Sequence, residues 1–249
     1  MHSIQFRHGL SRCLGRYFTS SLAKPMTSTN LDPVQEESLK ENCLLVDRND
    51  KVVGVASKKE CHLVKKDGSL PLHRAFSVFL FDQKGDLLLQ KRASTKIMYP
   101  DHYTASCTGH PIAEHPEEKN ENNGLGVKLA AIRRLKAELG FTTIEPSEIT
   151  YLTRLYYHCS VDGKWGEHHI TYVLILKKDL NLKPNPGEIS EFSLIPKGEL
   201  SQFLPTLNAP LTPFFNQIAK HRLLLWWNNL DDLKSITNQE AISTVEGCS

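Results

Sequence analysis

Apolar positions divide the chain into strand-like runs and two helix-like stretches. The runs CLLVD and VVGVA flank the polar turn Arg48-Asn49-Asp50 and predict a hairpin. Residues 75–81 and 86–91, about a turn containing Gly85, predict a second and longer hairpin. Its imperfect alternation suits strands with a helix on one face. Across 126–139 the period changes. Val127, Ala130, Ala131, Leu135 and Leu139 recur at three- and four-residue steps, and Gly140 closes the helix as its C-cap glycine. Strand patterns resume at 149–159 and, after a turn over 161–164, at 168–177. A Pro- and Gly-rich connection over 181–188 precedes a short strand at 191–195. Thr212-Pro213 opens a last helix through Trp227, with Phe214, Ile218, Leu223 and Leu224 mostly inward. Asp32-Pro33 reads as the N-cap and first position of a short helix that opens the domain near Leu31. The tail at 231–249 is polar and expected to be loose, and no internal repeat is present.

Composition narrows the class. The 249 residues suit one large domain or two small ones, and 40% hydrophobic with 23% charged residues is ordinary for a globular protein. A formal net charge of +2 gives no argument for nucleic acid. No apolar run is long enough to cross a bilayer. Cys13, Cys43, Cys61, Cys107, Cys159 and Cys248 have no CxxC spacing and read as reduced thiols. Residues 1–30 carry Arg7, Arg12, Arg16 and Lys24 with frequent Ser and Thr, and no acid precedes Asp32. Ile4, Phe6, Leu10, Leu14 and Phe18 fall near helical spacing there. That is the composition of a mitochondrial transit peptide; a basic tail on a cytoplasmic or peroxisomal protein is the alternative.

Candidate chemistry centres on YTASCTGHP at 103–111, a short strand that turns at Gly109 and presents His110 before Pro111. A structural histidine is the default for His110 alone. Further histidines lie in Cys61-His62, Leu72-His73-Arg74 and Gly166-Glu167-His168-His169, and His and Glu drawn from distant segments are how metal sites are usually built.

HRAFSVFLF at 73–81, LLLQKR at 87–92, SCTGHP at 106–111, RRLKAELG at 133–140 and WGEHH at 165–169 are ordered and specific. They resemble the type I isopentenyl-diphosphate isomerases, a branch of the Nudix superfamily, over about residues 44–230. The resemblance implies an α/β fold: a Nudix-type mixed β-sheet sandwiched between helices, in a single domain over 31–230. It implies short prenyl diphosphates as ligands and a divalent metal. The family's metal ligands match His62, His73, His110, Glu167 and His169, with Glu138 near a second metal beside the phosphates. Magnesium is the family's ion. His169 stands where the family has glutamate, and a site richer in imidazole favours zinc or manganese. Lys58, Arg92 and Lys96 match the diphosphate ligands, beside Gly109.

The family chemistry moves a proton between carbons across a tertiary carbocation, which needs an acid, a base and an aromatic shield. The matched positions are Thr108 for the family cysteine, His169 for the second glutamate, Phe214 for a tryptophan and Tyr157 for a tyrosine. A thiol ionises near ~8.5, whereas an alcohol does not titrate in protein conditions. Cys107 is adjacent to Thr108, but strand alternation turns it to the other face. Cys159 shares a face with Tyr157 and is expected as a buried strand cysteine. Arg134 and Ala137 stand where Nudix hydrolases carry acids, leaving Glu138, and this depletion argues against hydrolysis. Arg133 and Arg134, taken singly, are expected as solvated charges. Two readings follow: an isomerase of weak or redirected activity, and a non-catalytic prenyl-diphosphate-binding protein.

Overall fold

The computed structural model describes residues 32–160 and 163–247, so residues 1–30, where a transit peptide was expected, lie outside the described residues. Asp32 caps α1 (Pro33–Ser38), its carboxylate accepting from the Val34 and Gln35 amides. The first hairpin is β1 (Asn42–Val46) and β2 (Val52–Ser57), antiparallel as expected. Ser57 and Glu60 form a reciprocal capping box that starts α2 (Lys58–His62) directly from the strand end.

β3 (His73–Phe81) and β4 (Leu87–Arg92) do not form the long hairpin expected; they share a single rung, Phe81 with Leu87. The two strands diverge because other partners take their edges. β5 (Tyr103–Thr104) pairs with β4, and β6 (Cys107–Gly109) pairs with β3. Ser106 sits in the fork between them. Its hydroxyl accepts from the Leu80 amide at 2.8 Å and donates to the Leu88 carbonyl.

α3 (Leu125–Leu139) ends at Gly140 with φ +77°, the left-handed conformation that glycine adopts without a Cβ penalty. β7 (Ile149–Ser160) and β8 (Gly166–Lys177) follow, and β8 lies parallel to β3 with His73 opposite His169. β9 (Ile189–Ile195) pairs with β4, and the one-turn α4 (Leu200–Phe203) comes next. The last helix is two helices, α5 (Pro213–His221) and α6 (Leu223–Asn228), broken at Arg222 with φ −134°. Beyond the break Trp227 packs on Phe81 and donates from Nε1 to the Gly85 carbonyl at 2.7 Å.

The tail is not loose throughout. Residues Asn238–Thr244 form β10, parallel to β7. A polar segment can do this because a β-ladder is made by the backbone. Arg154 and Tyr151 side chains also donate to the Gln239 carbonyl.

The sheet order is β10-β7-β8-β3-β1-β2, with β4 and β6 branching from β3 and β5 and β9 pairing with β4. Each face carries its own core. Phe76, Val78, Leu80 and Leu174 pack under Val127, Ala131, Leu135 and Leu139 of α3. Phe79, Phe81, Val173 and Ile175 pack under Phe215, Ile218, Trp226 and Trp227 of α5 and α6. The expected mixed sheet between helices is therefore what forms, and β3, covered on both faces, is buried along its whole length. Among the described residues no helix is long and apolar enough to cross a membrane. Cys43, Cys61 and Cys107 are free, but Cys159 is disulfide-bonded, against the expectation of reduced thiols throughout. It offers no thiol to the neighbouring cleft.

Candidate metal and anion site

A cleft of about 140 Å³ opens where α2, the start of β3, β6 and the start of β8 meet. Register explains the meeting. β6 runs against β3 with Thr108 opposite Ser77, β8 runs beside β3 with His169 opposite His73, and β7 sets Tyr157 opposite His169. Residues far apart in sequence are thereby placed one strand apart.

His62, His73 and His110 form the metal-competent group, with one ring nitrogen each and all three within 4.8 Å of one another. Each outer contact turns a ring inward. His62 Nδ1 meets the Gly166 carbonyl at 3.0 Å, and His73 Nδ1 meets the Pro71 carbonyl at 3.1 Å. A ring that donates one N–H to a carbonyl presents the other nitrogen as a lone pair. His73 Nε2 is buried with no hydrogen-bond partner, the kind of orphaned atom a cation satisfies. Burial lowers the pKa of all three, His62 to about 4, so the rings are neutral ligands at pH 7. These residues fit a divalent cation.

Glu167 and His169, expected in the same ligand set, line the cleft but stand outside that group of three. His169 Nδ1 is bonded to the Thr171 hydroxyl at 2.6 Å. Its ring lies between Tyr157, at 5.4 Å, and Phe214, at 5.5 Å, and these contacts hold it in the aromatic wall. Burial lowers His169 to about 3. Glu167 accepts from Tyr99 Oη at 3.3 Å, and burial raises it to about 7 against the opposing charge of Arg92. Phe214 and Tyr157 meet edge to face at 5.1 Å.

Thr108 faces this cleft from β6, and Cys107 turns to the α3 core, as alternation requires. Burial raises the Cys107 thiol, so it is an inert core residue. Gly109 is required by space: a Cβ there would stand 2.9 Å from Phe76 Cζ and 3.2 Å from Arg134 Cγ.

Lys58, Arg92 and Lys96 line the same cleft. Arg92 donates from Nε to the Met98 carbonyl at 3.0 Å, which fixes its plane. Lys58 Nζ donates to Ser38 Oγ at 3.2 Å and lies 3.8 Å from Glu41. Lys96 pairs with Glu188 at 2.7 Å, and burial lowers it to about 8. Glu138 accepts two hydrogen bonds from Arg134, of 3.0 and 2.7 Å, with Gln90 donating at 3.2 Å. A carboxylate buried beside a guanidinium is neutralised by it.

Arg133 and Arg134 are not solvated. Arg133 pairs with Glu118 at 2.6 Å and donates to the His110 carbonyl at 3.1 Å, buttressing the turn that carries His110. Arg134 lines the cleft and bridges Glu138 and Glu188. Burial opposes its charge, but the two carboxylates outweigh burial and raise its pKa. The i,i+4 spacing of Arg134 and Glu138 was a usable signal in the sequence. Glu188, Tyr99, Gln90 and Thr171 carry no such signal, because only tertiary contacts bring them to the cleft.

Comparison with known proteins gives the same pattern of ancestry. The model of the NUDIX domain matches residues 71–218. The chain is 44% identical over 222 residues to isopentenyl-diphosphate Delta-isomerase 1 of Mesocricetus auratus, covering 87% of this chain and 97% of that protein. It is 40% identical over 221 residues to the chloroplastic isopentenyl-diphosphate Delta-isomerase I of Arabidopsis thaliana, covering 84% and 76%. It is 38% identical over 228 residues to isopentenyl-diphosphate delta-isomerase 2 of Homo sapiens, covering 88% and 100%.

Proposed function

The chain belongs to the isopentenyl-diphosphate Delta-isomerase family of NUDIX-domain proteins, and from this we propose that it binds short prenyl diphosphates and converts isopentenyl to dimethylallyl diphosphate at a reduced rate. The observation that carries the proposal is one cleft lined by cations and by His62 and His110, which with His73 form the group of three histidines. Lys58, Arg92, Lys96 and Arg134 offer N–H donors to the diphosphate oxygens, with the guanidinium groups able to bind two oxygens at once. A divalent metal held by His62, His73 and His110 would supply Lewis-acid charge beside the cleft. A ligand set of imidazoles suits zinc better than the magnesium of the family.

The hydrocarbon end would lie against Phe214, Tyr157 and His169, whose ring faces exclude water from a developing carbocation. Proton delivery and removal fall to Thr108 and His169, with the Thr171 hydroxyl fixing the His169 ring. Neither is well matched to the task. The Thr108 hydroxyl is a far weaker acid than a thiol, and His169 has lost basicity through burial. That mismatch favours the second reading, a diphosphate-binding protein without turnover. The acid-free basic composition of 1–30 supports mitochondrial targeting.

Incubation of the protein with labelled isopentenyl diphosphate and magnesium, manganese or zinc tests both readings. Slow formation of dimethylallyl diphosphate is expected. Tight binding with no product would establish the second reading, and turnover typical of an efficient enzyme would overturn the assignment of weakness to Thr108 and His169.

A further inference from the structure

Among the carboxylates lining the cleft, Glu188 is bound by two cations at once. Lys96 Nζ lies at 2.7 Å and Arg134 Nη2 at 3.1 Å, and the Glu188 side chain is 13% exposed. Its main chain is fixed to the same region. The Ala93 amide donates to the Glu188 carbonyl at 2.9 Å, and the Glu188 amide donates to the Asn185 carbonyl at 3.0 Å. Thr95 Oγ1 donates to the neighbouring Gly187 carbonyl at 3.3 Å. Glu188 therefore fastens the end of β4, which carries Arg92, and the loop that carries Lys96, while placing an anion between Lys96 and Arg134. Nothing in the proton chemistry above uses it.

We propose that Glu188 is the built-in counter-ion of the diphosphate subsite and sets a charge threshold for entry, so that a single phosphoryl group is rejected and a diphosphate is admitted. The inference rests on the diphosphate reading given above. Without Glu188, the charges of Lys58, Arg92, Lys96 and Arg134 would face Glu138, Glu167 beside Arg92 and Glu41 near Lys58, and any small anion would relieve their repulsion. With Glu188 in place, Lys96 and Arg134 are already satisfied. An entering anion gains only if it also reaches Lys58 and Arg92 and carries enough charge to outweigh repulsion from the carboxylate. Two linked phosphoryl groups meet that condition better than one. Although burial acts to raise its pKa, Arg134 and Lys96 hold Glu188 down at about 2, so the counter-ion stays charged across the physiological range.

Titration calorimetry of the full chain in magnesium-free buffer tests this with inorganic phosphate and pyrophosphate as probes. The parent is expected to bind pyrophosphate and discriminate against phosphate. Glu188→Gln is expected to tighten phosphate binding about tenfold and to narrow the pyrophosphate-to-phosphate ratio. Glu188→Asp keeps the charge but draws it back by one methylene, so it should tighten phosphate binding by a smaller factor. That variant decides the matter if Glu188→Gln does not fold. A folded variant whose two affinities are unchanged, or both weakened, would overturn the threshold and leave Glu188 a structural tie. A parent that fails to bind pyrophosphate would overturn the diphosphate reading and this inference together.

Discussion

Two sets of side chains line the cleft, and one keeps its charges while the other has shed them. In the proposed head-group set Arg134 is paired with Glu138 and Glu188, Lys96 with Glu188, and Lys58 lies near Glu41. In the proposed reacting set the partners of His62, His73 and His169 are two carbonyls and a hydroxyl, and burial drives the rings neutral. Glu167 shows the same effect in a carboxyl group, at about 7 despite Arg92. Desolvation penalises every charge, and only a close opposite charge offsets it. The contrast is chemically useful. Paired cations suit a highly charged head group, and neutral imidazoles suit a metal and an uncharged hydrocarbon.

The largest test breaks the contrast in the reacting set. Thr108→Cys with His169→Glu supplies an ionisable acid and an anionic base, and should raise isomerase kcat by about 10²–10³-fold in a labelled-substrate assay. No gain from the pair would move the deficit elsewhere, to Phe214 first. Next in size, Arg134→Leu breaks the head-group set. It leaves Glu138 buried without its partner and should cost about 3 kcal/mol in urea unfolding, while weakening pyrophosphate binding roughly tenfold. Unchanged stability would show that Gln90 alone satisfies Glu138.

The smallest effect sharpens the contrast through pH. His62 sits at about 4 in the folded protein against an ordinary 6.5. Between those values the unfolded chain binds a proton that the folded one does not, so metal-free stability is full above 6.5 and is lost as pH falls toward 4. The expected loss from this histidine is on the order of 2 kcal/mol, read from urea midpoints at pH 7 and pH 4.5. Zinc should raise the melting temperature about equally at pH 7 and pH 5, where a folded His62 at about 4 is still neutral, and less below pH 4, where the ring must first lose a proton. A zinc effect independent of pH would contradict ligation by these rings.

Much of the fold was legible in the pattern of the chain. Asp32-Pro33, the hairpin about 48–50 and the α3 stripe ending at Gly140 depend on neighbours a few residues apart, and local rules reach that far. The hairpin at 75–91 misled because an apolar strand announces burial but not its partner, and β6, β8 and β9 took the edges. The tail misled for the opposite reason, since β10 pairs through its backbone without an apolar pattern. The break at Arg222 leaves no mark in the apolar spacing. In the cleft, His62, His73 and His110 were identifiable by match to family motifs and the Arg134–Glu138 pair by its i,i+4 spacing, whereas the second partner of Arg134, Glu188, lies 54 residues away and had no local signal.

The order of amino acids settled the kind of fold and which histidines, cations and polar side chains, Thr108 and His169 among them, are available. Tertiary structure alone decided which of those groups stay charged. A side chain's identity sets its reference pKa, but the balance between lost water and nearby opposite charge is fixed only when distant strands close around it. That is why Glu188, unremarked in its Pro- and Gly-rich connection, stands between two cations of the cleft.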